Sequence, residues 1–253
     1  MSSATSPQSS QFLLGVRLFI PVAISIASYG VVWGVLAGQA GLSAVDVLLM
    51  SGIVYAGSSQ FVAITMWSPA GLPIVSIVVA TAIINLRMGL MTATLRPLFD
   101  GVPRWRALLA MFLVSDEVWA MTMAQTAKDN SATFLLRGDE PTAGRSSGPA
   151  FMLGAGILAW IAWVGSTLTG RLVGAVIDDP ATYGLDFAFT ATFLALLFSM
   201  WKGRADLAPW LAGGLIAIGV AQIVPGNWYI IAGGLGGSLI GALIESRRAQ
   251  HVA

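Results

Sequence analysis

Residues 72–95 read LPIVSIVVATAIINLRMGLMTATL and contain a single charged side chain, Arg87. A helix that crosses the hydrocarbon core of a bilayer needs about 20 mostly apolar residues. This run meets that requirement, so it predicts a membrane-spanning helix with a cation inside it.

Similar apolar runs recur along the whole chain. They lie near residues 18–38, 46–67, 72–95, 107–127, 150–173, 186–201, 209–224 and 227–244. The pattern predicts an all-α fold, a polytopic transmembrane helix bundle with seven or eight membrane segments. The last three runs are short, and Pro225 leaves almost no loop between the final two. A broken or re-entrant pair is therefore the alternative to two full spans at this end of the chain.

The composition agrees with a bilayer environment. Charged residues make up 10% of the chain, whereas an average soluble domain has about 25%. The chain has no cysteine, and its one histidine, His251, lies among the last three residues, which excludes thiolate metal sites and most histidine chemistry. The net charge is +1 and no G-x-x-x-x-G-K-[ST] motif occurs. We therefore expect a membrane protein that handles a small solute, with no enzymatic activity, cofactor, metal or nucleic-acid partner.

The domain organisation follows from the same pattern. We expect a polar N-terminal tail at residues 1–17, one transmembrane transporter domain at 18–245 and a C-terminal tail at 246–253. A polar loop at about 128–149 divides the domain. An eight-span arrangement with both termini in the cytoplasm places most Lys and Arg on the cytoplasmic side, as bacterial inner-membrane proteins usually do.

Small and aromatic residues give further expectations about packing. Two helices carry glycines at four-residue spacing, namely Gly30, Gly34 and Gly38 on the first and Gly233, Gly237 and Gly241 on the last. Such stripes let helix backbones approach closely in lipid, and packing within this chain is favoured over contact with a second subunit. Tryptophans near the segment ends are interpreted as interfacial anchors, namely Trp160, Trp163, Trp201, Trp210 and Trp228.

Arg87 needs a partner inside the membrane. It lies nine residues before Arg96, which at 1.5 Å per residue is roughly 13 Å of helix. A cation at that depth costs at least about 2.5 to 3.5 kcal/mol. Asp116 and Glu117, in the middle of the run 107–127, are the best candidates to pair with it.

Two interpretations of these charges remain open. In one, Arg87 and an acid form a static ion pair that fixes helix packing. In the other, arginine receives a substrate carboxylate in its planar fork, while an acid takes an ammonium group or a coupling proton. Two acids opposite one arginine favour the second, because a static pair leaves one carboxyl over.

A polar cluster, YAGSSQF at residues 55–61, interrupts the second apolar run. Gly57 and the serines Ser58 and Ser59 weaken the helix, so an unwound stretch that lines a solute cavity is expected, and Gln60 offers both a donor and an acceptor. Hydrogen bonding between helices as structural glue is an equal alternative.

Three blocks of this sequence, in this order and spacing, resemble the AzlC family, the large subunits of bacterial branched-chain amino-acid exporters. They are residues 52–61 with the core AGSSQF, the triplet Asn85-Leu86-Arg87, and the pair Asp116-Glu117. The resemblance covers roughly residues 15–245. Family members usually carry a histidine after the triplet, whereas this chain has Met88, so that position supplies no proton carrier.

The resemblance implies a secondary transporter that exports leucine, isoleucine, valine and related hydrophobic amino acids together with a small hydrophobic AzlD-type membrane subunit. In that mechanism Arg87 would hold the substrate carboxylate, and Asp116 or Glu117 would bind its ammonium group or carry a proton. Ser58, Ser59, Gln60 and Asn85 would supply neutral hydrogen bonds. A membrane scaffold that transports nothing, or a transporter or channel for another small solute, is the alternative.

Overall fold

The computed structural model describes residues 7–68, 71–137, 143–174, 194, 197–198, 201, 203–225 and 228–252, and within them the chain is mostly helical. The helices are α1 (Pro7–Gln39), α2 (Ala44–Leu49), α3 (Gly57–Thr65), α4 (Ile74–Leu95), α5 (Arg104–Phe112), α6 (Asp116–Arg137), α7 (Ala143–Gly174), α8 (Leu207–Ile223) and α9 (Trp228–Val252). These residues form two compact units, one within Met1–Ser58 and Asn85–Pro180 and the other within Ser59–Ile84 and Ala181–Ala253.

In the first unit, α1 and α7 pack against each other along most of their length. Their backbones touch at several glycines: a Cβ added to Gly34 would lie 2.8 Å from the Arg171 nitrogen, and one added to Gly170 would lie 2.8 Å from the Val31 Cα. Helices in lipid associate through such close backbone contact. For Gly34, the expected packing within the chain is confirmed.

The core of the first unit lies where α5 and α6 meet this helix pair. Its buried residues include Phe19 on α1, Ala110 on α5, Val118 on α6 and Met152 on α7. These side chains are apolar and almost completely enclosed. Burial of this kind fixes the start of α6, which carries Asp116 and Glu117, against the α1–α7 scaffold.

In the second unit, α8 and α9 form a close pair. A Cβ on Gly233 would lie 2.8 Å from the Gly213 oxygen, and one on Gly237 would lie 2.9 Å from the Pro209 oxygen. Packing of the C-terminal glycine stripe within this chain is therefore confirmed at both positions. A smaller cluster joins Val62 and Met66 to the start of α9.

Five helical stretches are long and apolar enough to cross a membrane, within the residues that the structure describes. They are Gln8–Gln39, Ile74–Phe99, Gly148–Gly174, Arg204–Ile223 and Trp228–Arg247. The last two are each unbroken, so the interruption expected near Pro225 separates two full-length helices. The predicted segment at 186–201 lies largely outside the described residues.

The helices also extend into regions where the sequence suggests tails and a loop. The first begins at Pro7, inside the stretch 1–17, and the last ends at Val252. Within 128–149, α6 continues to Arg137 and α7 begins at Ala143. Residues 138–142 lie outside the described part of the chain.

Candidate functional site

The second predicted segment is a broken helix. Ser43 and Asp46 start α2 with a reciprocal capping box, in which the Asp46 carboxylate accepts from the Ser43 amide at 2.9 Å. The helix then continues as a π-helix at Met50–Val54 and ends at Tyr55, whose φ of 46° lies in the left-handed region. Non-glycine residues in that conformation are uncommon and concentrate at functional sites. The unwound stretch expected beside Gly57 is confirmed.

The fourth predicted segment, 107–127, is broken as well, which the sequence interpretation missed. Helix α5 ends at Phe112, and α6 begins at Asp116. Ser115 caps α6, since its hydroxyl accepts from the Val118 amide at 3.3 Å. Asp116 and Glu117 therefore occupy the first turn of a helix, where the helix dipole favours negative charge. The signal for this break is the sequence Ser-Asp-Glu, a typical helix start.

One face of α7 supports both breaks. The Trp160 indole donates a hydrogen bond of 3.0 Å to the Gly52 carbonyl in the π-helix. The ring of Trp163 lies against Gly57, because an added Cβ would meet it at 3.2 Å, and an added Cβ on Gly156 would lie 2.8 Å from the Leu113 Cβ. The spacing of four and three residues puts these three positions on one helical stripe. Both tryptophans therefore pack within the protein, a role different from the interfacial one expected.

The charged centre of the first unit lies between the two breaks. Arg87 on α4 donates from Nη2 to the Ser58 hydroxyl at 2.8 Å and forms an ion pair with Asp116 Oδ2 at 3.0 Å. The two charged side chains remain 34% and 39% exposed, so the pair is open on one side. The Arg87 Nε atom is buried and has no hydrogen-bond acceptor among the described residues. The pairing predicted from sequence is present, and it does not use every donor of the guanidinium.

Tyr55 links the two breaks through a second set of contacts. Its ring lies 6.0 Å from the ring of Phe112, the last residue of α5. It also lies beside Ser115 and Glu117. Glu117 is not the partner in the ion pair and accepts a 2.8 Å hydrogen bond from the Ser115 hydroxyl. The two acids therefore have different partners, and one carboxylate is left over from the Arg87 pair.

The other predicted site residues are less directly connected. Ser59 and Gln60 belong to the second unit, where both are buried. Asn85 lies two residues before Arg87 on α4, and positions two apart project about 200° apart around a helix. Asn85 and Arg87 therefore leave α4 on different faces. A binding role for these three residues stays a prediction.

Replacing Trp160 with Phe should loosen the first break. The variant keeps an aromatic ring, but the Gly52 carbonyl loses its hydrogen-bond donor. Such a bond contributes about 1 kcal/mol, so its loss should raise the equilibrium constant for local opening roughly fivefold. Amide hydrogen exchange at residues 50–55 should speed up by about that factor, with α4 unchanged. Trp228→Phe, at an exposed tryptophan of α9, is the control. Unchanged exchange at 50–55 would show that Trp160 does not hold this segment.

Long apolar helices together with two interrupted ones define a multi-pass helical membrane protein. Discontinuous helices and charged side chains inside the membrane are both features that occur at the solute sites of transporters. The chain belongs to the AzlC family, because the family model described as AzlC protein matches residues 21–177. That range contains both breaks, Arg87, Asp116 and the α7 face behind them. Family membership places the chain among membrane transport proteins.

Individual relatives agree with this assignment. An uncharacterized membrane protein of Archaeoglobus fulgidus is 28% identical, covering 92% of this chain and 95% of its own. The inner membrane protein YgaZ of Escherichia coli is 26% identical over 80% of this chain and 78% of its own. The branched-chain amino acid transport protein AzlC of Bacillus subtilis is 23% identical over 92% of this chain and 84% of its own. No solved structure matches the chain.

Proposed function

We propose that this chain is the large subunit of a secondary transporter that exports branched-chain and related hydrophobic amino acids across the bacterial inner membrane, driven by the proton-motive force. The observation that carries the proposal is the Arg87–Asp116 ion pair, about one-third exposed and held between two helix breaks. The transport name of the Bacillus subtilis relative supports the substrate class.

The ion pair is complementary to an amino-acid zwitterion. A substrate carboxylate takes the place of Asp116 on the planar fork of Arg87, and the substrate ammonium takes the place of Arg87 on Asp116. One ion pair is broken and two are formed, so no charge is left uncompensated at a depth where an unpaired charge is costly. Ser58, which already accepts from Arg87, keeps the guanidinium oriented during the exchange.

Glu117 is the group that we assign to proton coupling. It is adjacent to Asp116 but is held by Ser115 and not by Arg87. Glu117 has no cationic partner among the residues that the structure describes, and a carboxyl of this kind at a helix break can take up and release a proton while the substrate site stays intact. The termini face the cytoplasm, and the small AzlD-type subunit completes the transporter in this proposal.

Leucine efflux tests the proposal directly. Cells that express the chain with an AzlD-type subunit are loaded with a leucine-containing dipeptide, and the release of free leucine is followed with and without a protonophore. We expect release several times faster than in cells with an empty vector, and we expect the protonophore to remove the difference. Release equal to the empty vector, with the chain present in the membrane, would contradict the proposed substrate.

Glu117→Gln separates coupling from binding. Because Arg87 and Asp116 are intact in this variant, exchange of internal for external leucine should stay within about twofold of wild type. Net efflux driven by a proton gradient should fall at least about tenfold, since the amide carries no proton. Glu245→Gln, an exposed glutamate of α9, is the matched control and should leave both rates unchanged. Normal gradient-driven efflux in Glu117→Gln would remove Glu117 from the coupling role.

A further inference from the structure

Helix α5 turns its large apolar side chains outwards. Its inward face is built from small or flexible residues, with Ala110 fully buried. Its outward face carries four large side chains, each at least 43% exposed: Trp105, Leu108, Leu109 and Phe112. The spacing of three, four and seven residues places these four on a single stripe.

Basic residues surround the beginning of this stripe. Arg104 and Arg106 flank Trp105, and Arg96 directly follows α4, with Asp100 as the single acid between residues 96 and 106. All three arginines are exposed. The Arg106 guanidinium lies 5.1 Å from the centre of the Trp105 ring, within cation–π range. Among the described residues, no acidic side chain forms an ion pair with any of the three.

We propose that this face of α5, together with Arg104 and Arg106, is a binding site for an anionic phospholipid. The phosphate headgroup pairs with the two arginines beside Trp105, and the acyl chains lie along Leu108, Leu109 and Phe112. An unpaired cationic end joined to an apolar stripe matches the charge and shape of such a lipid. A partner helix would cover the apolar stripe, but it would need acidic side chains of its own to pair with the arginines.

A lipid bound at this site would also affect the two helix breaks, because α5 lies next to both of them. Helix α5 ends at Phe112, and the Phe112 ring packs on Tyr55 at the break of the other interrupted helix. The second break follows at once, with Asp116 at the start of α6. A lipid held on α5 therefore stabilises the segment that joins the two breaks, whatever solute the protein carries.

Native mass spectrometry of the purified chain tests the site. The protein in mild detergent receives equal amounts of phosphatidylglycerol and phosphatidylcholine, and retained adducts are counted. Each basic residue near an anionic headgroup strengthens binding about fivefold. We expect one preferentially retained phosphatidylglycerol, and we expect Arg104→Gln/Arg106→Gln to lower its retention about 25-fold. Arg17→Gln/Arg204→Gln removes the same charge from exposed positions elsewhere and should retain the adduct.

Two further observations make the result decisive. Arg104→Lys/Arg106→Lys keeps the charges and should retain the lipid, which separates loss of charge from loss of folding. Equal retention of both lipids by the wild type, or unchanged retention in Arg104→Gln/Arg106→Gln, would overturn the proposal. So would a spectrum in which this face holds a second copy of the chain or a small protein, lost on Leu108→Gln, in place of lipid.

Discussion

Arg87→Lys should lower leucine efflux by about a hundredfold, although the positive charge is kept. The Arg87 guanidinium contacts Ser58 at 2.8 Å and Asp116 at 3.0 Å, and its Nε has no acceptor in the described part of the chain. A lysine ammonium is a point charge that cannot present a carboxylate with two parallel donors. Hydrogen bonds to charged groups contribute about 1.5 to 3 kcal/mol, and losing one such contact at the upper end of this range accounts for the expected factor.

The controls for Arg87 separate transport from folding. Arg96→Lys, an exposed arginine further along the same chain segment, should leave efflux unchanged. Arg87→Gln should abolish efflux while membrane abundance stays within about twofold of wild type. A fall in abundance that matches the fall in flux would favour a scaffold in which the ion pair only fixes packing. Wild-type flux in Arg87→Lys would remove the carboxylate clamp altogether.

A charge swap sharpens the distinction between these two roles. The double variant Arg87→Asp/Asp116→Arg restores an ion pair between α4 and α6. If the pair is purely structural, this variant should match the wild type in membrane abundance and in every other property. In a transporter, the swap exchanges the positions of the groups that bind the carboxylate and the ammonium of the substrate. It also removes the hydrogen bond by which Ser58 orients the guanidinium. Wild-type membrane abundance without leucine efflux therefore supports the binding role.

The sequence predicted the membrane helices and the partner of Arg87 for clear physical reasons. Hydropathy reports the length of apolar helix that a bilayer requires. A cation at mid-membrane has few candidate partners, and Asp116 was one of two. The left-handed Tyr55 lies where Gly57 and its serine neighbours already weaken the helix.

The second break was missed because a hydropathy window averages over it. Residues 113–115 are no less apolar than their neighbours, and what ends α5 is the capping of α6 by Ser115 and the contact between Leu113 and Gly156. The capping by Ser115 is visible in the sequence, whereas the contact between Leu113 and Gly156 is not. The packing role of Trp163 could not be predicted for a related reason. An amphipathic ring suits a membrane interface and a helix contact equally, and only the fold shows that Trp163 packs on Gly57.

Gly170→Ala should strongly destabilise the first unit. The added Cβ would lie 2.8 Å from both the Val31 Cα and the Val31 carbonyl carbon on α1. These are backbone atoms that cannot rotate away, so the α1–α7 pair must separate. Overpacking of this kind costs about 3 kcal/mol or more, which should lower the apparent melting temperature in detergent by about 10 °C.

Gly165→Ala is the matched control for this prediction. Gly165 lies on the same helix, five residues earlier, and an added Cβ meets nothing within 4 Å. The substitution should be neutral or slightly stabilising, because alanine favours a helix over glycine by about 1 kcal/mol. The comparison therefore cancels the change in helix propensity and leaves the α1–α7 contact as the difference. Equal melting temperatures for the two variants would mean that the backbones of α1 and α7 are not in contact at Val31.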